Sequence, residues 1–403
     1  MRSEWKEYTV QDLIDLEMLD EPLDGNHGSI HPKASDYVES GVPFIMANNL
    51  INGTVDLERC AFISENQAKQ LRKGFARPGD VLLTHKATIG RTAIVPDKYD
   101  TIILTPQVTY YRTKKGIDNR YLKYYFDSPG FQATLSNWAG SGSTRAYLGI
   151  LAQHKLPILL PPIEDQVRIA EMLKMLDDKI LNNTKINENL LQQAQAIFSQ
   201  EFLNVEGIPD GWKESSLLGI ADYLNGLAMQ KFRPKDDEQG LPVLKIKELR
   251  QGACDASSEL CSPSIKPEYI VHDGDVIFSW SGSLLVDFWC GGTCGLNQHL
   301  FKVTSDTYDK WFYYAWTNHH LQKFVSIAAD MATTMGHIKR EELSKAVVLI
   351  PSQSDYDRIG GLLAPLYDLV IANRIENRKL AALRDELLPQ LMSGQLDVSE
   401  VDL

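Results

Sequence analysis

The fold of this chain is decided by residues 163–202, IEDQVRIAEMLKMLDDKILNNTKINENLLQQAQAIFSQEF. The segment contains no glycine or proline, which predicts one uninterrupted helix. At about 1.5 Å per residue such a helix would be roughly 60 Å long, which is more than a compact domain needs. Its inward positions alternate by four and three residues, the spacing of a coiled-coil seam. These positions are Ile169, Leu173, Leu176, Ile180, Asn183, Asn187, Leu190, Ala194 and Ile197.

Two asparagines interrupt this seam, and a second helical segment at about 355–388 repeats the interruption. Asn183 and Asn187 recur there as Asn373 and Asn377, in both cases 190 residues later (373 − 183 and 377 − 187). A buried asparagine pair lowers stability but fixes the register of paired helices. The alternative is that all four are solvated surface residues. Their shared phase favours the register interpretation and predicts that the two helices pair in antiparallel orientation.

The second helical segment contains residues that disfavour a helix. Gly360, Gly361 and Pro365 all lie near its beginning. Glycine is flexible, and proline removes a backbone donor and clashes with the preceding turn. This composition predicts that the second helix is kinked or begins late, whereas the first has no such interruption.

The chain repeats itself once, with the motifs in the same order. Trp5-Lys6-Glu7 recurs as Trp212-Lys213-Glu214, and Arg168-Ile169 recurs as Arg358-Ile359. The offset falls from 207 to 190 residues (212 − 5 and 358 − 168), as duplication followed by loop deletion would leave. The other matched pairs are Val42–Ile45 with Leu241–Leu244, Gly79-Asp80-Val81 with Gly274-Asp275-Val276, Gln107 with Gln298, Tyr121–Phe126 with Trp311–Trp316, and Ser143-Thr144 with Thr333-Thr334.

Each half has the same predicted plan of short strands, an aromatic helix, a polar loop, a strand and one long helix. The predicted fold class is α+β, with two similar mixed domains separated by two long antiparallel helices that form a coiled-coil-like spacer with pseudo-twofold symmetry. The predicted boundaries are 1–160 for the first domain, 161–204 for the central helix, 205–350 for the second domain, and 351–403 for the distal helix and tail.

Composition excludes several classes of protein. The 403 residues are 43% hydrophobic and 23% charged, which is typical of a globular chain and not of a disordered one. A net charge of −12 argues against a simple basic nucleic-acid binder, unless acid is concentrated away from the binding loops. No apolar run is long enough to span a membrane, no secretory signal is visible, and five cysteines are an odd number. We therefore expect a cytoplasmic protein with no membrane partner.

Motifs for common chemistry are missing from the sequence. It contains no Gly-x-x-x-x-Gly-Lys-[Ser/Thr] phosphate loop, no Gly-x-Gly-x-x-Gly fingerprint after a strand and no His-Glu-x-x-His zinc motif. Cys290 and Cys294 are separated by three residues, which does not match a standard zinc pair. Small buried hydrophobic roles are the better interpretation of these cysteines. We therefore predict no catalytic residue, no metal site and no cofactor on this chain.

Polar and basic side chains are concentrated in equivalent loops of the two halves. Arginine and lysine bind guanine edges or phosphates, and asparagine and glutamine bind adenine edges. Each residue alone is more often an ordinary surface or turn residue, so the hypothesis rests on the clustering. The DNA-binding candidates are Asn48, Asn49, His85, Lys86, Arg91, Ser143, Thr144 and Arg145 in the first half, and Lys245, Lys247, Arg250, Trp280, Ser281, Gln298, Thr333, Thr334, His337 and Lys339 in the second.

The chain resembles the specificity subunits of type I restriction–modification systems over nearly its whole length. The resemblance is carried by LLPPIEDQVRIAEMLKMLDDKI (159–180) and RKLAALRDELLPQLMSGQLDVSEV (378–401). GDVLLTHKATIGRTAIV (79–95) and GLNQHLFKV (295–303) also resemble family segments. The start of the second helix departs from the family pattern: PSQSDYDRIG (351–360) keeps Arg358-Ile359 but lacks the double proline and the glutamate.

The resemblance implies a division of labour between subunits. Such a chain would carry two target-recognition domains, each binding one half of a bipartite double-stranded DNA site, with the long helices setting the spacing. Two modification subunits would dock on the helices and methylate adenine with S-adenosylmethionine. Restriction subunits would add cleavage driven by ATP and Mg²⁺. Because the two halves differ in sequence, the recognised site would be asymmetric.

Two other functions remain open on sequence grounds. The duplicated halves could form a protein–protein interaction scaffold without DNA specificity, or the chain could be an enzyme whose site has no recognised motif. Sequence-specific adenine methylation by the assembled complex would separate the first hypothesis from both.

Overall fold

A computed structural model describes residues 5–140, 146–330, 338–399 and 401. The chain forms two compact units, each of which includes part of both long helices. Unit 1 comprises Met1–Asp177 and Ala382–Leu403, and unit 2 comprises Asp178–Ala381. The mixed strand and helix content of both units agrees with the predicted α+β class.

Unit 1 contains two main sheets. A four-stranded sheet has the order β10-β9-β12-β2, and a five-stranded sheet has the order β3-β7-β4-β11-β8. Its strands are Lys6–Thr9 (β1), Leu23–Asp24 (β2), Tyr37–Val38 (β3), Val42–Ile45 (β4), Leu50–Ile51 (β5), Thr54–Val55 (β6), Ala61–Ile63 (β7), Phe75–Ala76 (β8), Val81–Lys86 (β9), Thr88–Ile94 (β10), Ile102–Leu104 (β11), Val108–Tyr111 (β12) and Pro157–Leu160 (β13). Its helices are Val10–Asp15 (α1), Glu65–Ala68 (α2), Asn119–Asp127 (α3), Pro129–Trp138 (α4), Ile150–Gln153 (α5) and the first part of Ile163–Phe198 (α6).

Unit 2 repeats most of this topology, without counterparts of β3, β5 and β6 in its described residues. Its sheets have the orders β15-β22-β19-β20 and β17-β16-β21-β18. The strands are Lys213–Ser216 (β14), Asp222–Asn225 (β15), Leu241–Leu244 (β16), Leu260–Cys261 (β17), Ile270–Val271 (β18), Val276–Ser279 (β19), Leu285–Phe288 (β20), Cys294–Leu296 (β21), Leu300–Thr304 (β22) and Val347–Ile350 (β23). The helices are Leu217–Ile220 (α7), Ile246–Gln251 (α8), Lys310–Asp330 (α9), Arg340–Lys345 (α10) and Gln353–Met392 (α11), which ends in unit 1. The predicted internal repeat is confirmed, because equivalent strands occupy equivalent places in both units.

One sequence match in the repeat was wrong by a single residue. Val108 N donates to Thr105 O at 3.1 Å, and Leu300 N donates to Asn297 O at 3.0 Å, so these are the same turn. The offset here is 192 residues (297 − 105 and 300 − 108). Gln298 is therefore equivalent to Pro106, and not to Gln107 as the sequence pattern suggested. A strand register fixed by long-range pairing decides this alignment.

The aromatic helices of the two units differ because of a local signal. In unit 1, Ser128 and Pro129 separate α3 from α4, and the Ser128 hydroxyl accepts a hydrogen bond from Phe131 N at 3.4 Å. Proline is favoured in the first turn of a helix and serine at its N-cap. Unit 2 lacks this pair, and its counterpart α9 continues without interruption. The aromatic residues of both helices contribute to the buried cores.

The two long helices extend as far as predicted or further. The first is α-helical to Phe198 and continues as a π-helical turn over Ser199–Leu203. The second begins at Gln353 and runs through Gly360 and Pro365, so the expectation that it begins late is wrong. A Cβ at Gly360 would lie 2.9 Å from Trp311 Nε1. The glycine is therefore required for close packing against α9, and this packing offsets its weak helix propensity.

Within unit 2, the asparagines of α6 and α11 contact each other in antiparallel order. Asn183 Nδ2 donates to Asn377 Oδ1 at 2.8 Å, and Asn373 Nδ2 donates to Asn187 Oδ1 at 2.9 Å. Asn183, Asn187 and Asn373 are buried, and Asn377 is half-buried. The repeat offset of 190 residues relates Asn183 to Asn373 and Asn187 to Asn377. Each pair is therefore the repeat equivalent of the other. That these contacts fix the register remains a prediction.

Candidate nucleic-acid interface

A surface cavity of about 490 Å³ in unit 2 brings together residues predicted from separate loops. Lys245 is the N-cap of α8 and Lys247 lies in the first turn of that helix, and Gln298 comes from the turn between β21 and β22. The turn after β15 adds Gln230 and Arg233, which the sequence pattern did not identify. The complete lining is Gln230, Arg233, Lys245, Ile246, Lys247, Glu259, Asn297, Gln298 and His299. Amide and cationic groups of this kind can contact base edges and phosphates.

The cations of this cavity are already paired with carboxylates. Lys245 Nζ lies 2.6 Å from Glu259 Oε1, and Arg233 Nη2 lies 3.4 Å from Glu259 Oε2. The hydrogen bond from Lys245 lowers the pKa of Glu259, so this carboxylate stays charged at neutral pH. Lys247 Nζ lies 3.3 Å from Asp255. A phosphate that binds here must therefore compete with two carboxylates, which favours contacts to uncharged base edges.

Two further candidates, Trp280 and Ser281, lie outside the lining of this cavity and are held by contacts within unit 2. The Ser281 side chain is only 5% exposed, and its hydroxyl lies 3.1 Å from His299 Nδ1. Trp280 is half-buried, and its Nε1 donates to Asn225 Oδ1 at 3.0 Å. His299 in turn lies 3.3 Å from Gln298 Nε2. Ser281 therefore positions His299 and Gln298, and a direct base contact from Ser281 is not supported.

In unit 1, two exposed cations lie on the hairpin formed by β9 and β10. Lys86 ends β9, and Arg91 belongs to β10. Arg91 Nη1 lies 3.4 Å from Ala47 O and 3.5 Å from Leu50 O, beside the exposed Asn48. In the described part of the chain, neither cation forms an ion pair with a carboxylate. Lys86 and Arg91 are therefore freer to bind phosphate than Lys245 and Lys247.

His85 is fully buried, which corrects its predicted role in base contact. Its Nδ1 donates to Leu148 O at 2.9 Å. Burial lowers the pKa of the ring, so it is neutral near pH 7. The sequence pattern could not show this, because β9 is buried along its whole length except for its last residue, Lys86.

Asn49 is also buried, and it has a structural role. Its Oδ1 accepts a hydrogen bond from Met46 N at 2.9 Å. In unit 2, Glu248 accepts from Lys245 N at 3.2 Å at the equivalent position. Both side chains cap the helical turn that follows the parallel strand. The prediction that Asn49 reads bases is therefore not supported, whereas its neighbour Asn48 is free to do so.

The neighbouring asparagines allow a direct comparison by mutation. We expect Asn49→Ala to lower the free energy of unfolding by about 1 kcal/mol, because a helical cap is lost. Asn48→Ala should change it by less than about 0.5 kcal/mol, because the side chain is exposed, but should weaken DNA binding. Urea denaturation and a binding titration of both variants would test this. Equal destabilisation by the two changes would contradict the assignment.

The remaining candidates divide between exposed and undescribed positions. Arg250 and Lys339 are exposed, at the next-to-last residue of α8 and at the N-cap of α10. The others lie outside the described residues, namely Ser143, Thr144, Arg145, Thr333, Thr334 and His337.

The part of the chain that the structure describes contains no metal-binding cluster and no membrane-spanning helix. Within residues 5–140, 146–330, 338–399 and 401, no group of three or more His, Cys, Asp or Glu is arranged to hold a metal. All five cysteines are free thiols, and four of them are buried. None of the helices in those ranges is long and apolar enough to cross a membrane.

Comparison with known proteins identifies the family. The model of the type I restriction modification DNA specificity domain matches residues 2–192 and again 209–383. The MjaIX specificity subunit of Methanocaldococcus jannaschii is 25% identical over 393 residues, covering 92% of this chain and 90% of that one. The EcoBI specificity subunit of Escherichia coli is 24% identical over 203 residues, covering 49% of this chain and 40% of that one.

A solved structure shares the fold. The crystal structure of a type I restriction–modification S subunit from M. genitalium has a TM-score of 0.58, with 13% identity and 96% coverage of both chains. The two matches of the family model correspond to the two halves of the repeat. The chain therefore belongs to the DNA specificity subunits of type I restriction–modification systems, which are non-catalytic because catalysis lies in other subunits.

Proposed function

We propose that this chain binds a bipartite and asymmetric site in double-stranded DNA, with one half-site for each recognition unit. The proposal rests on one observation: the two units share a topology but carry different side chains at equivalent positions. Ile45 and Leu244 both end the strand that pairs in parallel, so the positions that follow them correspond. Unit 1 then has Met46 and Asn48 where unit 2 has Lys245 and Lys247. Two such units would read two different half-sequences.

The proposal includes the partners of the assembled enzyme. Two modification subunits would dock on the helical region and methylate adenine with bound S-adenosylmethionine. Restriction subunits would supply cleavage driven by ATP and Mg²⁺, and no cofactor would bind this chain. Because its substrate is cellular DNA, we place the complex in the cytoplasm. Partner subunits would also contribute to the phosphate contacts, which fits the acidic net charge of −12 on this chain.

The paired helices would set the spacing between the half-sites. Each long helix contributes a segment to both units, and within unit 2 their register is matched by the two asparagine pairs. Half-site spacing on duplex DNA follows the geometry of the protein that spans it. We propose that the length and pairing of α6 and α11 determine how many base pairs separate the two half-sequences.

Methylation mapping tests the proposed function directly. The full chain would be co-expressed with its modification subunits, and the DNA would be analysed by single-molecule sequencing. We expect methylated adenines in one motif that consists of two different half-sequences and a fixed spacer. Expression of the modification subunits alone is the control. Methylation without sequence preference, or none in the presence of this chain, would refute the proposal and favour an interaction scaffold.

Exchange of one recognition unit should change one half-site. Replacing residues 1–155 with the corresponding region of a relative leaves β13 and both long helices in place, because Lys155 lies in the exposed turn before β13. We expect a new first half-sequence with the second half-sequence and spacer unchanged. The reciprocal exchange in unit 2 is the matched control. A change in both half-sequences would show that the units do not read DNA independently.

A further inference from the structure

Three hydrogen bonds join the β9–β10 hairpin of unit 1 to the segment Ala146–Leu148. Ala87 N donates to Ala146 O at 3.1 Å, and Leu148 N donates to His85 O at 2.9 Å. The ring Nδ1 of the buried His85 donates to Leu148 O, also at 2.9 Å. As a result, Lys86 and Tyr147 lie directly opposite each other as an antiparallel bridge.

Tyr147 is an exposed aromatic residue whose ring is nevertheless held in place. Its side chain is 49% exposed, and its ring centroid lies 5.8 Å from that of His85. A Cβ at Gly149 would lie only 3.3 Å from the hydroxyl of Tyr147. A side chain at position 149 would therefore crowd the tyrosine. The ring therefore contacts the buried His85, while about half of the residue remains exposed to solvent.

A cation accompanies the exposed ring. Lys86 Nζ lies 5.8 Å from the Tyr147 ring centroid, and Lys86 is exposed. In the turn that follows Lys86, Ala87 adopts a left-handed conformation with φ of +64°. An alanine in this region is strained by about 1 kcal/mol, and such strain persists where surrounding contacts impose it. Here the contact that holds Ala87 is the hydrogen bond from its N to Ala146 O.

Unit 2 has an equivalent backbone hydrogen bond but different residues beside it. Ile338 N donates to Trp280 O at 3.1 Å, as Leu148 N does to His85 O. Trp280 replaces His85 at this position and uses its Nε1 in a hydrogen bond to Asn225. This backbone hydrogen bond is therefore common to both units, whereas the Lys86–Tyr147 pair is particular to unit 1. Residues that distinguish one half-site from the other are expected at positions where the two units differ in this way.

A half-exposed aromatic ring beside an ammonium that has no carboxylate partner among the described residues suits a nucleotide. Phosphate oxygens accept contacts from lysine, and apolar side chains pack on the thymine methyl or on deoxyribose. The antiparallel bridge holds the backbone of both residues before binding, which limits the conformational entropy lost on contact. We infer that Tyr147 and Lys86 form one contact element for the first half-site, with Tyr147 against the apolar face of a nucleotide and Lys86 on a phosphate. This inference rests on the proposed function.

Point variants of the full chain, assembled with modification subunits, test the inference. We expect Tyr147→Ala to weaken binding of the cognate duplex about tenfold and to relax only the first half-sequence. Tyr147→Phe, which keeps the ring, should stay within about twofold of the original affinity. Lys86→Ala should lower the slope of log affinity against log salt by about one. Leu16→Ala is the control, because Leu16 is 55% exposed at the end of α1 and has no predicted DNA contact.

The outcomes separate this inference from the proposal beneath it. If the unaltered complex methylates a specific motif while Tyr147→Ala keeps its affinity and motif, only the inference is overturned. Equal relaxation of both half-sequences by Tyr147→Ala would also overturn it. If the unaltered complex shows no sequence preference, both the proposed function and the inference fail. Deoxyuridine in place of first-half-site thymines should weaken binding if Tyr147 contacts a methyl group, and have no effect if it contacts deoxyribose.

Discussion

Replacing Gly226 with alanine is expected to destabilise unit 2 by about 3 kcal/mol and to abolish recognition through that unit. A Cβ at Gly226 would lie 2.3 Å from Asn297 O and 2.4 Å from Leu296 O. Both atoms are backbone atoms, so relief requires movement of β21 and of the turn that carries Gln298. The close approach also supports a hydrogen bond from Leu227 N to Leu296 O at 2.9 Å. This hydrogen bond holds the loop that carries Gln230 and Arg233, which line the cavity.

The chain provides a matched control for this change. No atom lies within 4 Å of a Cβ at Gly130, in the first turn of α4, so Gly130→Ala should be neutral or stabilise slightly. Denaturation of the full chain by urea would give both free energies, and methylation mapping would give both half-sequences. We expect Gly226→Ala to lose the second half-sequence selectively. Gly25→Ala is its counterpart in unit 1, where the Cβ would lie 1.9 Å from Leu104 O. Unchanged stability of Gly226→Ala would contradict the close approach.

The second large effect concerns the asparagine pairs of the long helices. Asn187 and Asn373 are 6% and 8% exposed, and their carboxamides are hydrogen-bonded to each other. Asn187→Leu would leave the amide of Asn373 without this partner, which should cost about 1–3 kcal/mol. Replacing both residues with leucine should recover or exceed the original stability, since apolar pairs pack without a desolvation cost. The double variant should, however, lose the specification of register.

Loss of register has a measurable consequence for DNA recognition. If the helix pair sets the half-site spacing, the double leucine variant should methylate sites with more than one spacer length while both half-sequences are retained. Asn189→Leu is the matched control, because Asn189 lies on the exposed side of the same helix and should change stability by less than about 0.5 kcal/mol. A single unchanged spacer in a more stable double variant would show that the asparagines do not fix the register.

Much of the fold could be predicted because its signals are local and repeated. The seam of α6, the phase of Asn183 and Asn187, and the order of repeated motifs each depend on spacing along the chain. Helical periodicity needs no knowledge of distant contacts. The course of α11 through Gly360 could not be predicted in this way. There, packing against Trp311 outweighs a local propensity that disfavours the helix.

The candidate interface could be predicted only in part, because exposure depends on long-range contacts. Lys86 and His85 are adjacent in sequence, yet one is exposed and the other is buried under a bond to Leu148, 63 residues away. Arg233 lacked any motif and is brought beside Gln298 only by the close approach at Gly226. No sequence pattern singled out Tyr147. It became a candidate only because the antiparallel bridge places it opposite Lys86.

The sequence by itself thus determined that the chain is duplicated, that each half ends in a long helix, and that the helices share two asparagine positions in the same phase, because repetition and periodicity are properties of the linear chain. The tertiary structure alone decided which loop residues face solvent, which cations are already paired, and which turns correspond between the units. Those properties arise where strand register and close backbone approach bring distant segments into contact.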